Sequence, residues 1–439
     1  MNQPALCHGA FRRAALLGML IAATPLAVQA GGFALTPQNA VHLGNAFSAA
    51  AAAEDASTIH YNPAGLLHLD RPEAVVNVTY FMFRGDFSNT GSTTAGVLPT
   101  PGGNGGDLGS HTPIPTAYFA YPFSDTFAAG IGITAPYGLS TEYDAGWVGR
   151  YHALKSELTV ININPAIAWR LADWLRLGIG LDWQSADAEL SNAIDFGLLG
   201  FANEIPGFAP HSADGTVTID GDDHNWGWNI GLLIQANDAL RIGWHYRSHF
   251  AHTLTGRARF AAVPAPFQPM FTDQAASAPF SLPEVMSLSL LYEFNPRLAL
   301  TADWSWWNWS RFENLDVDFE NPATPDVSLP QNWNDASIYS VGLRWRYSDT
   351  LTLRCGFALN ESPVPSSGFR YARIPDSDRT WYTIGASWEV ADAARLHFGY
   401  ALLDFEKSTS AYDDLAGHVL VGDYDLSAHI LSAQFTWGF

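Results

Sequence analysis

Two arginines stand where a carboxylate could be held. Around Arg247, the residues Ile242, Trp244 and Tyr246 share one side of an alternating stretch, which turns His245, Arg247 and His249 to the other. By the same parity Arg354 falls on the side opposite Leu351, Leu353, Cys355, Phe357 and Leu359. A guanidinium offers a fork of N–H donors that matches a carboxylate. It can equally pair with an acid of the chain itself, such as Asp182 or a carboxylate near the N-terminus. His245 and His249 form a conceivable metal pair, but no third ligand accompanies them, so no metal or cofactor is expected. Catalytic residues are not expected either. There is no Gly-x-Ser-x-Gly elbow. Gly102 to Gly106 lie in a Pro/Gly-rich stretch without the helix that a phosphate loop needs. Asn308-Trp309-Ser310 reads as a chance match to a glycosylation sequon.

The elements that carry these residues alternate with period two. Tyr382, Ile384, Ala386, Trp388 and Val390 are interleaved with Thr383, Gly385, Ser387 and Glu389. Leu177, Ile179, Leu181 and Trp183 are interleaved with Gly178, Gly180 and Asp182. Each such run is a strand with one greasy face and one polar or small face. No later stretch reaches the roughly 18 apolar residues of a membrane helix. In a soluble sandwich the greasy faces would meet in a core; in a membrane barrel they would face lipid.

The connections separate these two architectures. Short turns fall at Ser124-Asp125, Ala172-Asp173, Asn237-Asp238, Asn295-Pro296, Ser348-Asp349 and Ala391-Asp392. Long polar stretches lie between them, at about 84–115, 137–157, 188–224, 253–282, 308–336, 360–380 and 404–424. Six turns alternating with seven loops require fourteen strands, with both termini at the short-turn end. Phe123, Phe127, Trp169, Trp174, Trp345 and Tyr347 flank the short turns, as a girdle at a lipid boundary would. The chain closes on Leu431, Ala433, Phe435, Trp437 and Phe439, a terminal pattern that barrel assembly machinery reads. The fold expected is all-β: a 14-stranded antiparallel transmembrane β-barrel.

Composition narrows the function. There are 22 Lys+Arg against 43 Asp+Glu, a net charge of −21, and the only lysines are Lys155 and Lys407. Such a chain is a poor partner for nucleic acid. The acids of 188–224, among them Glu189, Asp220, Asp222 and Asp223, suit a solvated loop or cation bridges to lipopolysaccharide. Arg12 and Arg13, the apolar run Ala14 to Val28 and the small-residue site before Gly31 make 1–30 a secretory signal. Removing it takes away Cys7 and leaves Cys355 as the one thiol. Fourteen strands leave a lumen too wide for side chains to fill. The segment 31–72 is Ala- and Gly-rich, alternates poorly, has one helical-looking patch around Ala46 to Ala56, and carries Phe33, Leu43, Phe47, Ile59 and Leu66. It is expected to fold into the lumen as a plug, leaving 73–439 as the barrel; a periplasmic tail is the other reading.

At this point the residues resemble a family. Gly31-Gly32-Phe33, His60-Tyr61-Asn62-Pro63-Ala64-Gly65-Leu66 and Asp70-Arg71-Pro72 are similar to the N-terminal hatch of FadL-type long-chain fatty acid transporters. Further matches follow in order, from Tyr137-Gly138-Leu139 through Leu282-Pro283-Glu284 to Ile374-Pro375-Asp376-Ser377-Asp378-Arg379, and span the chain after the signal. The resemblance implies an outer-membrane barrel plugged by a hatch. It implies uptake of hydrophobic molecules, most of all long-chain fatty acids, by passive diffusion. Asn62, Pro63 and Ala64 would hold the hatch bend. Phe33 would cap an apolar pocket, with Arg247 and Arg354 as candidates for the headgroup. Partners would be the hydrophobic ligand, outer-membrane lipid and lipopolysaccharide, and the assembly machinery, around a monomer.

The expected way out is sideways through strand three. Pro136 has no N–H for a ladder, and Gly138 tolerates unusual backbone angles. Pro136, Tyr137 and Gly138 therefore either end the strand or kink it, and the resemblance favours the kink. One departure stands out. Family members specific for fatty acids carry bases on the third long loop and near strand ten, where this chain has Ser191-Asn192-Ala193 and Asn332-Trp333-Asn334-Asp335. Aromatic-hydrocarbon uptake is thus the alternative within the class. An outer-membrane lipase or protease, or an adhesin, is the alternative outside it.

Overall fold

In the computed structural model residues 31–439 are described, so the expected signal 1–30 lies outside them. Fourteen strands form the wall. They are β1 (Glu73–Asn89), β2 (His111–Ser124), β3 (Phe127–Glu142), β4 (Lys155–Ala172), β5 (Leu175–Asp195), β6 (Asp214–Gln235) and β7 (Leu240–Arg247, resumed as Phe250–Ala261). They continue as β8 (Gln274–Leu282, resumed as Val285–Asn295), β9 (Leu298–Trp307), β10 (Ala336–Arg346), β11 (Leu351–Asn360) and β12 (Arg379–Ala391). β13 (Ala394–Phe405, resumed as Ser408–Asp413) and β14 (His418–Gly438) complete the set. Each pairs antiparallel with its neighbours, and β14 returns to β1 from Glu73↔Gly438 to Asn89↔Gly422. Closure leaves no edge for the last strand, which is what a wall in lipid requires.

Alternation sets which side chains go in. On β1, Val75, Asn77, Thr79, Phe81 and Phe83 are buried inward, while Val76, Val78 and Tyr80 are exposed outward. Phe123, Trp174, Trp345, Tyr347, Trp437 and Phe439 are exposed at the short-turn end. A protein of this kind should migrate differently in denaturing gels boiled and unboiled, with a β-type circular dichroism spectrum in detergent; a helical spectrum would contradict the fold.

The strands run further outward than their polarity suggests. β5 and β6 stay paired to Asp195↔Asp214, through Asp187↔Asp222 and Glu189↔Asp220, which the sequence reads as loop. A hairpin satisfies its backbone regardless of side-chain polarity, so two polar faces beyond the lipid do not end a strand. What remains of the loops holds one α-helix, α3 (Phe196–Ala202), three short 3₁₀ turns (Ala265–Phe267, Trp309–Arg311 and Ser367–Phe369) and two small hairpins, Thr93–Thr94 with Leu98–Pro99 and Asn314–Phe319 with Val327–Pro330.

Residues 31–72 are almost wholly buried and touch strands on opposite sides of the barrel. Ser48 reaches Thr301 on β9 at 2.7 Å, and the Ala40 N–H donates to Gln434 on β14 at 3.2 Å. The helical patch expected at Ala46 to Ala56 is not there. The helices are α1 (Ala40–Gly44) and α2 (Thr58–Tyr61), followed by a 3₁₀ turn, Pro63–His68. Ala46, Phe47 and Ala53 take positive φ angles of 48°, 70° and 48°, which no helix accepts. Close packing on the wall explains the small residues: a Cβ added to Gly44 would lie 2.8 Å from the Gly385 Cα.

Candidate functional site

The wall is interrupted at β3. Its pairing with β2 stops at Ala117↔Ile133, although β2 continues outward against β1 alone. Its pairing with β4 jumps from Thr134↔Asn162 to Tyr137↔Val160, so Ala135 and Pro136 together oppose Ile161. This is a β-bulge at the proline, and the inward face changes parity across it: Thr134 is buried before it, Tyr137 and Leu139 after it. The strand goes on to Glu142, so Pro136 does not terminate it.

The N-terminal segment lies across the interruption. Leu35 N–H donates to the Pro136 carbonyl at 2.8 Å, and Gly138 N–H donates to the Phe33 carbonyl at 2.9 Å. Gln38 spans the two separated strands. Its amide bonds Ala135 of β3 in both directions, at 2.8 and 3.1 Å, and its carbonyl accepts from the Thr116 and Tyr118 hydroxyls of β2 at 2.8 and 3.2 Å. The free peptide groups at the gap thus find partners in protein, as lipid requires.

Behind the gap is an inner cavity of about 90 Å³, lined in part by Leu35, Phe47, Pro136, Tyr137, Arg247 and Trp307. Phe33 lies beside it rather than on it. It is 2% exposed and packs among Tyr137, Trp309, Phe312 and Trp333, with ring centroids 4.8–6.2 Å away. Arg247 does line the cavity, but it pairs with Asp182 at 3.1 Å and donates to the His60 carbonyl at 2.9 Å. Arg354 lies elsewhere, paired with Glu54 of the N-terminal segment and bonded to Ser387. His249 is not on the lumenal side, being 44% exposed by side chain and 3.8 Å from Glu284. The parity argument fails there because β7 breaks at Ser248 and His249, after which Phe250, His252 and Leu254 are the inward residues.

Asn62, Pro63 and Ala64 pin the segment to another part of the wall. The Asn62 side chain accepts from the Ala64 N–H at 3.1 Å and donates to the carbonyls of Leu232 on β6 and Trp244 on β7 at 3.0 and 3.3 Å. Pro63 occupies the first turn, where no N–H is needed. Gly178 and Gly231 make room: a Cβ at Gly231 would lie 2.0 Å from the Asn62 Oδ1.

A second cavity, of about 440 Å³, opens among the outer loops. Leu190, Val217, Phe260, Val317 and Phe319 give it apolar walls, and Arg373 stands in them. Five arginines are buried among the described residues. Arg150, Arg247, Arg354 and Arg379 face Asp214, Asp182, Glu54 and Asp376. Arg373 faces no carboxylate. It donates to the Lys155 and Ser191 carbonyls at 3.3 Å, the Ser156 hydroxyl at 3.1 Å and the Asn192 side chain at 2.9 Å, while its buried Nε has no partner. Burial without a counter-ion pulls its pKa down to about 10. The base absent from Ser191-Asn192-Ala193 in sequence is therefore delivered there by the loop before β12. In sequence Arg373 directly precedes the family-like run Ile374-Pro375-Asp376-Ser377-Asp378-Arg379, and nothing local marks it as a binding residue.

A family profile described as outer membrane protein transport protein (OMPP1/FadL/TodX) matches residues 20–439. The long-chain fatty acid transport protein of Escherichia coli O6:H1 is 28% identical over 385 residues, covering 83% of this chain and 85% of its own. Among solved structures, a Pseudomonas aeruginosa FadL homologue superposes with a TM-score of 0.85 at 22% identity, covering 93% of this chain and all of its own. The Pseudomonas putida toluene transporter TodX gives 0.68 at 17%, over 88% and 94%. The profile spans the barrel, the interrupted strand and the segment behind it, and the chain belongs to this family of outer membrane transport proteins.

Proposed function

We propose that the protein takes up long-chain fatty acids, or amphipathic acids much like them, by passive diffusion with sideways release through the interruption in β3. Arg373 carries this reading: a buried guanidinium with no carboxylate paired to it, set in a mostly apolar cavity of about 440 Å³ whose lining also includes Asp326 and Asp414. That volume is in the usual range for a small-ligand site. Each methylene buried there contributes about 0.8 kcal/mol, and the guanidinium gives the acid end a partner. The E. coli relative's name, a long-chain fatty acid transport protein, agrees. From the outer cavity the substrate passes to the inner one, which at about 90 Å³ must enlarge to hold it. Residues 31–72 act as the plug, with Asn62, Pro63 and Ala64 as its anchor. The closed barrel works as a monomer amid lipid and lipopolysaccharide, its terminal aromatic strand having served the assembly machinery.

Aromatic hydrocarbons are the second reading. The inner cavity favours it, because its one cation, Arg247, is already spent on Asp182. The two readings part at Arg373. Arg373→Ala should weaken binding of a long-chain acid to the purified protein roughly ten- to hundredfold, since a hydrogen bond to a charged group is worth about 1.5–3 kcal/mol. Binding of a neutral hydrocarbon of the same size should not change. Equal losses for both, or none for the acid, would remove Arg373 as the headgroup partner and favour the hydrocarbon.

A further inference from the structure

Three outer loops bring a carboxylate and two imidazoles to one point beside the outer cavity. Asp195 ends β5, His211 follows α3, and His418 opens β14. The Asp195 Oδ2 lies 4.0 Å from the His211 Nε2 and 3.9 Å from the His418 Nε2, and the three ligand atoms all fall within 4.8 Å of one another. These separations are too long for hydrogen bonds. They are close to what a shared ion requires, since bonds of about 2.0–2.1 Å would shorten each edge to Asp195 by only about 0.5 Å.

The surroundings hold the donors ready. Thr94, from the first outer loop, lies 2.8 Å from the His211 Nε2 and 3.0 Å from the His418 Nδ1. His418 can donate from Nδ1 to the Thr94 oxygen, which leaves its Nε2 lone pair facing Asp195, whereas the Thr94 hydroxyl faces the His211 Nε2 lone pair and would turn to Thr100, 2.8 Å away, when an ion binds. A histidine ligand usually gives its other ring N–H to just such an acceptor. Asp195 is fixed by the Leu198 N–H, which donates to Oδ1 at 2.7 Å, and by the His211 N–H, shared between Oδ1 and Oδ2 at 3.1 Å each. Tyr151 stacks on His418 at 4.1 Å, and its hydroxyl donates to Asp214, itself paired with Arg150. The Asp414 carboxylate accepts from the His418 backbone N–H at 2.9 Å, and the His152 ring lies 6.5 Å from that of His418.

We infer that Asp195, His211 and His418 form a site for a divalent transition metal of the zinc type, which ties the outer loops together beside the outer cavity. Two imidazoles and one carboxylate suit zinc, nickel or copper, with water completing the shell. Calcium and magnesium prefer all-oxygen shells, which the exposed acids Asp187, Glu189, Asp220 and Asp222 offer instead. The inference is independent of which substrate is carried. The test is zinc titration of the chelator-treated full-length protein in detergent at pH 7.5, with calcorimetric readout and bound metal counted by atomic spectrometry. One equivalent should bind with a Kd in the micromolar range or tighter, undisturbed by excess calcium. Asp195→Asn, which keeps the helix cap, and His418→Ala should each weaken it at least tenfold; His429→Ala, on the outer face of β14, should not. Should His418→Ala fail to assemble, Asp195→Asn decides. No saturable zinc, displacement by calcium, or stoichiometric zinc retained in Asp195→Asn would overturn the site.

Discussion

Deleting Pro136 is expected to bring uptake down to the level of cells lacking the protein, while ligand binding at the outer cavity of the purified barrel, which Pro136 does not line, stays intact. The argument is one of register. Ala135 and Pro136 share a single partner, Ile161, so β3 holds one residue too many at that level. Removing one residue makes the two strands regular. It also preserves which side chains face inward, because the bulge is where parity changes: Thr134 faces in below it and Tyr137 above it. A one-residue shift in a regular strand would turn the whole outer half inside out; here it removes only the bulge. The straightened β3 can then meet β2 beyond Ala117↔Ile133, where both now lack each other as partners. Heat-modifiable migration of the variant would show that the barrel has assembled. Uptake at the normal rate through such a wall would mean that substrate passes straight down the lumen.

Deletion of 31–72 should convert a nearly non-conducting barrel into an open channel for small hydrophilic solutes, read as single-channel conductance in planar bilayers. A 14-stranded wall is too wide for its own side chains to close, and this segment supplies the buried residues between opposite strands. Loss of Glu54 leaves Arg354 and Arg344 without that partner. In a dry interior, removing one member of such a pair would be destabilising by about 3–5 kcal/mol. In an opened lumen water solvates the arginines, so the barrel should survive. Conductance unchanged from the full-length protein would show that these residues do not block the lumen.

The barrel was legible because its signals repeat. Fourteen strands, six short turns and an outward aromatic girdle each follow from period-two alternation and from turn residues such as Asn295-Pro296. Polarity alone misjudged the outer ends: the acids at 187–189 and 220–223 sit in a paired hairpin. The segment 31–72 was harder still. Its alanines suggest a helix at Ala46 to Ala56, but the wall decides its path, through glycines such as Gly356 and Gly385 that lie far away in sequence. Among site residues, the break at Pro136 could be placed because a missing N–H is local, whereas Gly138 pairs regularly with Thr159 and needs no unusual backbone angle. Arg247 and Arg354 could be placed on the inward face, but whether they are free depends on Asp182 and Glu54, which parity does not reveal. Arg373 and the group of Asp195, His211 and His418 were missed for a related reason. Each is assembled by loops that meet only in space.

Toward the bilayer, residues 33–35 serve as a short removable edge strand. They give Pro136 and Gly138 the backbone partners that β2 withholds, pairing through Ala34↔Tyr137. When they move away, peptide groups on both sides lose their bonds, at several kcal/mol for each group left in hydrocarbon. An acyl chain has nothing to offer those groups, however long it is. On the sideways route proposed above, opening the gap breaks the same amide bonds for every acid, while each added methylene deepens the well in the cavity. On that route discrimination by chain length falls to the cavities, because the opening itself is common to every acid.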